Sequence, residues 1–274
     1  MRTVVNDGVE LAYEIDGPAD GEPVVFVEGL GYGRWMWRWQ REALADDYRV
    51  LLPDNRGTGD SDAPEGPYTI PMLAADLDAV LADAGVDRCH LVGASMGGMI
   101  AQQYALDFDR AATLTLCCTT AGGEAAVPVP EETQAIMYST PEEADERETI
   151  RHRMAPALSE GFAAENENLI ERIVDWRLAS DAPDHAREAQ AAAVAAFDVA
   201  DRLDSCTVPA QILHGSDDRV VPVDNAELLD DLLPNSRLAV LDGGPHLFFV
   251  ASPTWVNDRL RSFLESHSLA VSEG

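Results

Sequence analysis

Lysine is absent from this chain of 274 residues, so all 19 basic residues are arginine. Against them stand 49 Asp and Glu, giving a formal net charge of −30 at pH 7 and a pI near 4.2. A phosphate backbone would be repelled by such a surface, so no nucleic-acid partner is expected. Long apolar runs are missing too. Val24-Val25-Phe26-Val27 is among the longest, far short of the roughly 20 residues that a membrane span requires. No apolar stretch follows Met1-Arg2-Thr3 as a secretory leader would. The expectation is a cytoplasmic protein without a membrane partner. Cysteine is scarce: Cys89, Cys117, Cys118 and Cys206, with no Cys-x-x-Cys pair. They read as small buried hydrophobes, not as disulfides or zinc ligands. The glycines at 29, 31 and 33 lack the Gly-x-Gly-x-x-Gly spacing of a dinucleotide site. No cofactor and no metal are expected.

What is present is a foldable interior. The apolar fraction is 46%, too high for an acidic disordered chain. The acidic residues are spread over the whole length, which reads as a folded, halophilic protein with a surface suited to a salt-rich cytoplasm. The plainer alternative is a mildly acidic protein whose codons favour arginine.

Asn6-Asp7-Gly8 between Thr3-Val4-Val5 and Val9 to Ile15 predicts an antiparallel hairpin. Val24–Val27 and Tyr48–Leu52 read as buried strands, with a helix over the tryptophan-rich segment from Trp35 to Leu44. Leu73, Leu77, Val80 and Leu81 form one stripe of a helix from Thr69 to Ala84, capped by Thr69 and closed by Gly85. A strand (Cys89–Val92), a helix (Met96–Leu106) and a strand (Ala112–Cys117) follow. Such alternation predicts a parallel sheet with helices on both faces. From 123 to 204 the patterns are helical only, broken by prolines, and read as an insertion. Alternation resumes with strands at Pro209–Leu213 and Arg237–Leu241 and helices at Asn225–Leu233 and Thr254–Leu264. The last eight residues are expected to fray.

Gly93-Ala94-Ser95-Met96-Gly97 stands directly between a strand and a helix, the setting of a nucleophile elbow. A serine on such a sharp turn needs small neighbours two residues to either side, and the helix N-terminus favours negative charge beside it. Ser95 is therefore the candidate nucleophile. The plainer reading is a glycine-rich turn with a spectator serine. Ser95 needs a base and an acid that orients it, following in the order acid, then histidine. Of six histidines, His90 and His214 lie in strands and read as core residues. His152 and His185 fall in the insertion and His267 in the tail. His246, in the turn after the last strand, is the expected base. Asp217 and Asp218 follow the preceding strand. Asp218 is the expected acid, and Asp217 reads as a solvent-facing turn residue. The amides of Met96 and of Leu30, in Glu28-Gly29-Leu30-Gly31, are expected to form the oxyanion hole.

With these motifs in view, the chain resembles the α/β-hydrolase superfamily. Asp54-Asn55-Arg56-Gly57-Thr58-Gly59-Asp60-Ser61 matches that family's Asp-x-Arg-Gly-x-Gly-x-Ser loop. Residues 61–70 and Ser95-Met96-Gly97-Gly98-Met99-Ile100-Ala101-Gln102 are similar to 3-oxoadipate enol-lactonases and related esterases. The resemblance implies a mostly parallel eight-stranded sheet flanked by helices, with a core of residues 1–122 and 205–274 and a helical lid of residues 123–204. It implies hydrolysis of a small ester or lactone through an acyl-enzyme, by a monomer or homodimer. The alternatives are acyl transfer to peroxide, as in haloperoxidase-like members, or a ligand-binding relative without catalysis. Many members carry His-Gly where this chain has Glu28-Gly29. A carboxylate there would oppose the oxyanion unless paired or turned away, and Arg34 or Arg56 could pair with it. Leu30, Tyr32, Trp35 and Trp37, with Met137, Met154 and Trp176 of the lid, suggest a closed apolar pocket. If the substrate carries a carboxylate, Arg34 is its expected anchor, with Arg147, Arg151 and Arg153 as alternatives.

Overall fold

In the computed structural model, which describes residues 1–269, the hairpin forms at Asn6-Asp7-Gly8. Strand β1 (Arg2–Asn6) pairs antiparallel with β2 (Val9–Asp16), and Asp7 and Gly8 have φ of 47° and 81°, as a type I′ turn requires. Strands β3 (Pro23–Val27), β4 (Arg49–Pro53), β5 (Cys89–Ala94), β6 (Ala111–Cys117), β7 (Ala210–Gly215) and β8 (Ser236–Leu241) complete an eight-stranded sheet in the order β1-β2-β4-β3-β5-β6-β7-β8. The strand β2 also runs antiparallel to β4, whereas every pairing from β4 across to β8 is parallel.

The helices in chain order are α1 (Arg38–Leu44), α2 (Ile70–Asp83), α3 (Met96–Asp107), α4 (Glu131–Met137), α5 (Glu146–Met154), α6 (Glu160–Glu165), α7 (Glu167–Ser180), α8 (Asp184–Ala195), α9 (Asp224–Leu232), α10 (Phe248–Ala251) and α11 (Pro253–Ser266). Alternate strand residues serve two cores. Val25, Val27, Leu51 and Leu91 pack with α2, α3 and α9, while Val24, Phe26, Val50 and Val92 pack with α1, α10 and α11. Burial on both faces explains the unbroken apolar runs in the strands. The Thr69 hydroxyl accepts the Met72 amide at 3.2 Å to cap α2, and Gly85 follows at φ 66°.

Helices α4 to α8 all lie between β6 and β7, and the one strand contact in that stretch is an isolated bridge between Gly122 and Asp198. They are tied to the loops at the carboxyl ends of β3 and β4. Ala182 N–H donates to Gly31 O (3.0 Å), Gly59 N–H to Ser180 O (2.9 Å), and His185 Nε2 meets Ala63 O (2.9 Å). No helix of the described residues is long and apolar enough to cross a membrane.

The structure departs from the sequence reading in three places. The Trp35–Leu44 helix divides into a 3-10 turn (Arg34–Trp37) and α1, and α10 was not legible. The expected fraying does not begin at His267, whose N–H bonds Leu264 O at 3.0 Å, and Ser268 donates to Glu22. Residues 270–274 lie outside the described residues.

Candidate active site

Strand β5 ends at Ala94 and α3 begins at Met96, so Ser95 alone makes the turn, with φ 53° and ψ −117°. A non-glycine residue adopts such a conformation only when its surroundings enforce it, at a cost of roughly 1–3 kcal/mol. Those surroundings are backbone. A Cβ on Gly93 would strike the Gly97 carbonyl, and one on Gly97 would strike the Val27 carbonyl of β3. The Ser95 N–H bonds Cys117 O (2.9 Å), and its carbonyl accepts from Gly98 N–H (3.0 Å), Met99 N–H (3.2 Å) and the Thr119 hydroxyl (2.7 Å).

Asp218 and His246, from the loops after β7 and β8, meet at 2.7 Å between Oδ2 and Nδ1, both buried. The other oxygen of Asp218 accepts the Val220 and Val221 amides, each at 2.8 Å. His214 Nε2 stands 3.2 Å from Oδ2 and bonds Val221 O at 2.8 Å. Burial alone would raise the Asp218 carboxyl. The charge interaction with His246 and hydrogen bonds from His214 and His246 outweigh it and hold the group below its ordinary range. Asp217 is exposed. The Cys118 thiol was unexpected here: its sulfur and ligand atoms of Asp218 and His246 lie within 4.8 Å of one another. Burial, then the Asp218 charge, pushes this thiol well up, so it stays protonated, and Asp218 and His246 are engaged with each other rather than open to a metal.

The amides of Leu30 and Met96 make no hydrogen bond among the described residues. The loop carrying Leu30 lies against the serine, since a Cβ on Gly29 would come 3.5 Å from Ser95 Cβ. Its neighbours are fixed. Gly29 N–H points to Met36 Sδ (3.3 Å), and Gly31 N–H donates to Gln190 Oε1 of α8 (2.7 Å), whose Nε2 donates to Arg56 O (2.9 Å). Ser95, His246 and Leu30 open together on a cavity of about 500 Å³, roofed by residues of the inserted helices.

Residues 22–253 match the alpha/beta hydrolase fold family. The chain is an α/β hydrolase. It is 31% identical over 256 residues to the protein of Azorhizobium caulinodans named as the carbamate hydrolase RutD, covering 93% of this chain and 94% of that one. It is 27% identical to 3-oxoadipate enol-lactonase 2 of Acinetobacter baylyi, covering 96% of each. Among solved structures, Est816, described as an N-acyl homoserine lactone degrading enzyme, superposes with a TM-score of 0.82 at 30% identity, covering 96% of this chain and 100% of that one.

Several expected substrate contacts are not at this hydrolase's serine. Tyr32 and Met137 line the cavity. Arg34 does not: its guanidinium is bound to Asp54 (2.6 Å) and Asp60 (2.7 Å) and faces a second, outer groove of about 590 Å³. Trp35 and Trp176 line that groove as well, stacked with ring centroids 5.9 Å apart. Trp37 and Met154 are core. Arg147 pairs with Glu171 and Asp175, and Arg151 with Glu171. Arg153 does line the cavity, and so does Arg187, which no sequence pattern singles out.

Glu28 is fully buried and pairs with neither Arg34 nor Arg56, because Arg56 is held by Asp76 through two bonds of 2.7 Å. Its Oε1 accepts the Asn55 amide (2.7 Å) and approaches the Thr58 hydroxyl (3.3 Å), while Oε2 has no partner. Burial, and next the neighbouring Asp54 carboxylate, push the Glu28 carboxyl well above its ordinary range. A neutral carboxyl removes the expected conflict with the oxyanion loop. Asp54 is itself pushed up to about 6, by burial first, against the pull of Arg34.

A folded state that holds the proton more tightly than the unfolded chain, whose Glu titrates near about 4.3, is favoured at low pH and loses that advantage as pH rises. Glu28→Gln keeps the shape and removes the ionisation. We expect the melting temperature of this variant, relative to wild type, to climb between pH 5 and pH 8 by at least about 2 °C. A difference that stays flat or falls over that range, measured by calorimetry at constant salt, would show that Glu28 is not held neutral.

Proposed function

We propose that this hydrolase cleaves a carboxylic ester or enol-lactone of a small substrate through an acyl-enzyme on Ser95. The observation that carries the reading is the strained Ser95 turn, opening on the same cavity as His246, which is hydrogen-bonded to Asp218. Ser95 Oγ attacks the carbonyl carbon and its proton passes to His246. Ionised Asp218 fixes the imidazole through Nδ1 and stabilises the positive charge that develops. The carbonyl oxygen, now negative, takes the unbonded amides of Leu30 and Met96, beside the N-terminus of α3. Collapse breaks the bond to the leaving oxygen, which takes the proton from His246. Water then repeats the sequence on the acyl-enzyme and frees the acid and Ser95. In a lactone the leaving oxygen stays tethered to the acyl chain. Residues 123–204 serve as the lid over residues 1–122 and 205–274. The relatives named for enol-lactone and N-acyl homoserine lactone support the substrate class.

Ser95→Ala should lower ester turnover by about 10³-fold or more, with circular dichroism unchanged. Near wild-type turnover, with a fluorophosphonate labelling another serine, would overturn the assignment. Asp218→Asn should lower kcat by about 10³–10⁴-fold, and Asp217→Asn by less than about 2-fold. The reverse ranking would move the acid to Asp217.

We further infer that folding depends on salt. With 19 arginines to 49 acidic residues, most carboxylates have no cation of their own. At molar ionic strength the screening length shrinks to about 3 Å and the repulsion fades. Dialysis into dilute buffer should abolish the helical circular dichroism signal, and adding back molar salt should restore it. Unchanged signal and activity in dilute buffer would reject the inference.

A further inference from the structure

The cavity at Ser95 is lined by two arginines, Arg153 and Arg187, and neither guanidinium has a carboxylate partner among the described residues. The guanidinium of Arg187, on α8, makes no hydrogen bond and no ion pair among the described residues. The Arg153 guanidinium, on α5, donates among the described residues only to Ser139 O (3.1 Å) and the Thr140 hydroxyl (3.0 Å). Three other arginines whose guanidinium groups are largely withdrawn from solvent are neutralised: Arg34 by Asp54, Arg56 by Asp76, Arg177 by Asp181. The Asp181 charge acts on Arg187, but its Oδ2 is taken by Arg177, whose Nε and Nη2 each lie at 2.7 Å, and its Oδ1 has no hydrogen-bond partner, so Arg187 does not bond it. Burial, and next the charges of Arg177 and Arg153, work against the Arg187 cation, while Tyr32 and Asp181 favour it. Arg187 is thereby pushed below the ordinary arginine range, whereas their carboxylate partners hold Arg34 and Arg56 above it.

An unpaired cation taken from water is costly, and an anion that supplies two parallel acceptors relieves that cost. A guanidinium fork fits a carboxylate in this way. The stem of Arg187 also lies on the oxyanion loop, because a Cβ on Gly31 would come 3.7 Å from its Cγ. An anion held there is therefore within the same small cavity as the reacting carbonyl.

We propose that Arg187, backed by Arg153, is the anion-recognising end of this cavity, and that the substrate is an ester or lactone carrying a carboxylate away from the bond to be cleaved. This rests on the hydrolase reading above and narrows it to a substrate class. Arg187 here replaces Arg34 as the specificity-determining cation. The surface repels anions at long range, so the selectivity lies in the cavity and not in steering.

The test compares two p-nitrophenyl esters of one acyl length, hydrogen glutarate and its neutral methyl ester, at constant molar salt. Wild type should favour the anionic ester in kcat/KM, and Arg187→Gln should lower the ratio of the two kcat/KM values about 30-fold, chiefly through KM. Arg187→Lys should restore part of the ratio. If Arg187 instead stabilised the oxyanion or held the lid, both esters would suffer alike and the ratio would stand, overturning the proposal. A second readout needs no turnover: glutarate should bind wild type saturably by calorimetry, and Arg187→Gln at least about 10-fold more weakly. Glutarate binding without ester hydrolysis would keep the anion site and reject the hydrolase reading. Hydrolysis of the neutral ester with no glutarate binding would do the opposite.

Discussion

The turn between β5 and α3 can exist only because Gly93 and Gly97 carry no side chain, which lets β5, the turn and the end of β3 meet backbone to backbone. Three consequences follow from that contact. Ser95 is forced to positive φ and its strain is held by four hydrogen bonds to its own amide and carbonyl. The loop after β3 is brought against the serine, with the Leu30 amide left unbonded. And α3 starts at the serine itself, so its first amide, that of Met96, is left unbonded beside Ser95.

Burial acts on every carboxyl group near this contact, but partners decide the result. Asp218 gathers two amides and two imidazoles and stays ionised well below its usual range. Glu28, equally buried, receives one strong amide bond and a neighbouring acid, and is pushed the other way. Asp54 lies between these extremes, drawn down by Arg34 yet still raised. A chain so rich in acid thus keeps one charged carboxylate at the proposed base and a neutral one behind the Leu30 loop.

Much of this was legible in the sequence where the signal is local. The Asn6-Asp7-Gly8 hairpin, the period of α2 and its Thr69 cap, the strand–serine–helix junction and the loop positions of Asp218 and His246 all rest on residues within a few places of one another. What failed depended on direction and distance. Arg34 lies only four places past Leu30, but the 3-10 turn that starts after Gly33 sends it to Asp54 and Asp60. Trp35 follows it outward and stacks on Trp176, so aromatic rings that suggested a pocket wall cover a different groove. Gln190 bonds Gly31 across 159 positions, and no pattern in an alanine-rich helix announces that. His214 does read as a core histidine and is one, yet its ring also touches Asp218.

Helix α8 shows how far the inserted segment is built into the site. Gln190 and Arg187 are three residues apart and so share a face, and both meet Gly31, one by a hydrogen bond to its amide and the other through its stem. The same loop is held again where Ala182 N–H bonds Gly31 O, and the β4 loop where Gln190 bonds Arg56 O and Gly59 N–H bonds Ser180 O. Swinging α8 away would deprive the Gly31 amide of its acceptor in a buried place and release the loop that presents Leu30. The helix is therefore part of the frame that orients the Leu30 loop, and the inserted segment cannot act as a hinged cap along its whole length.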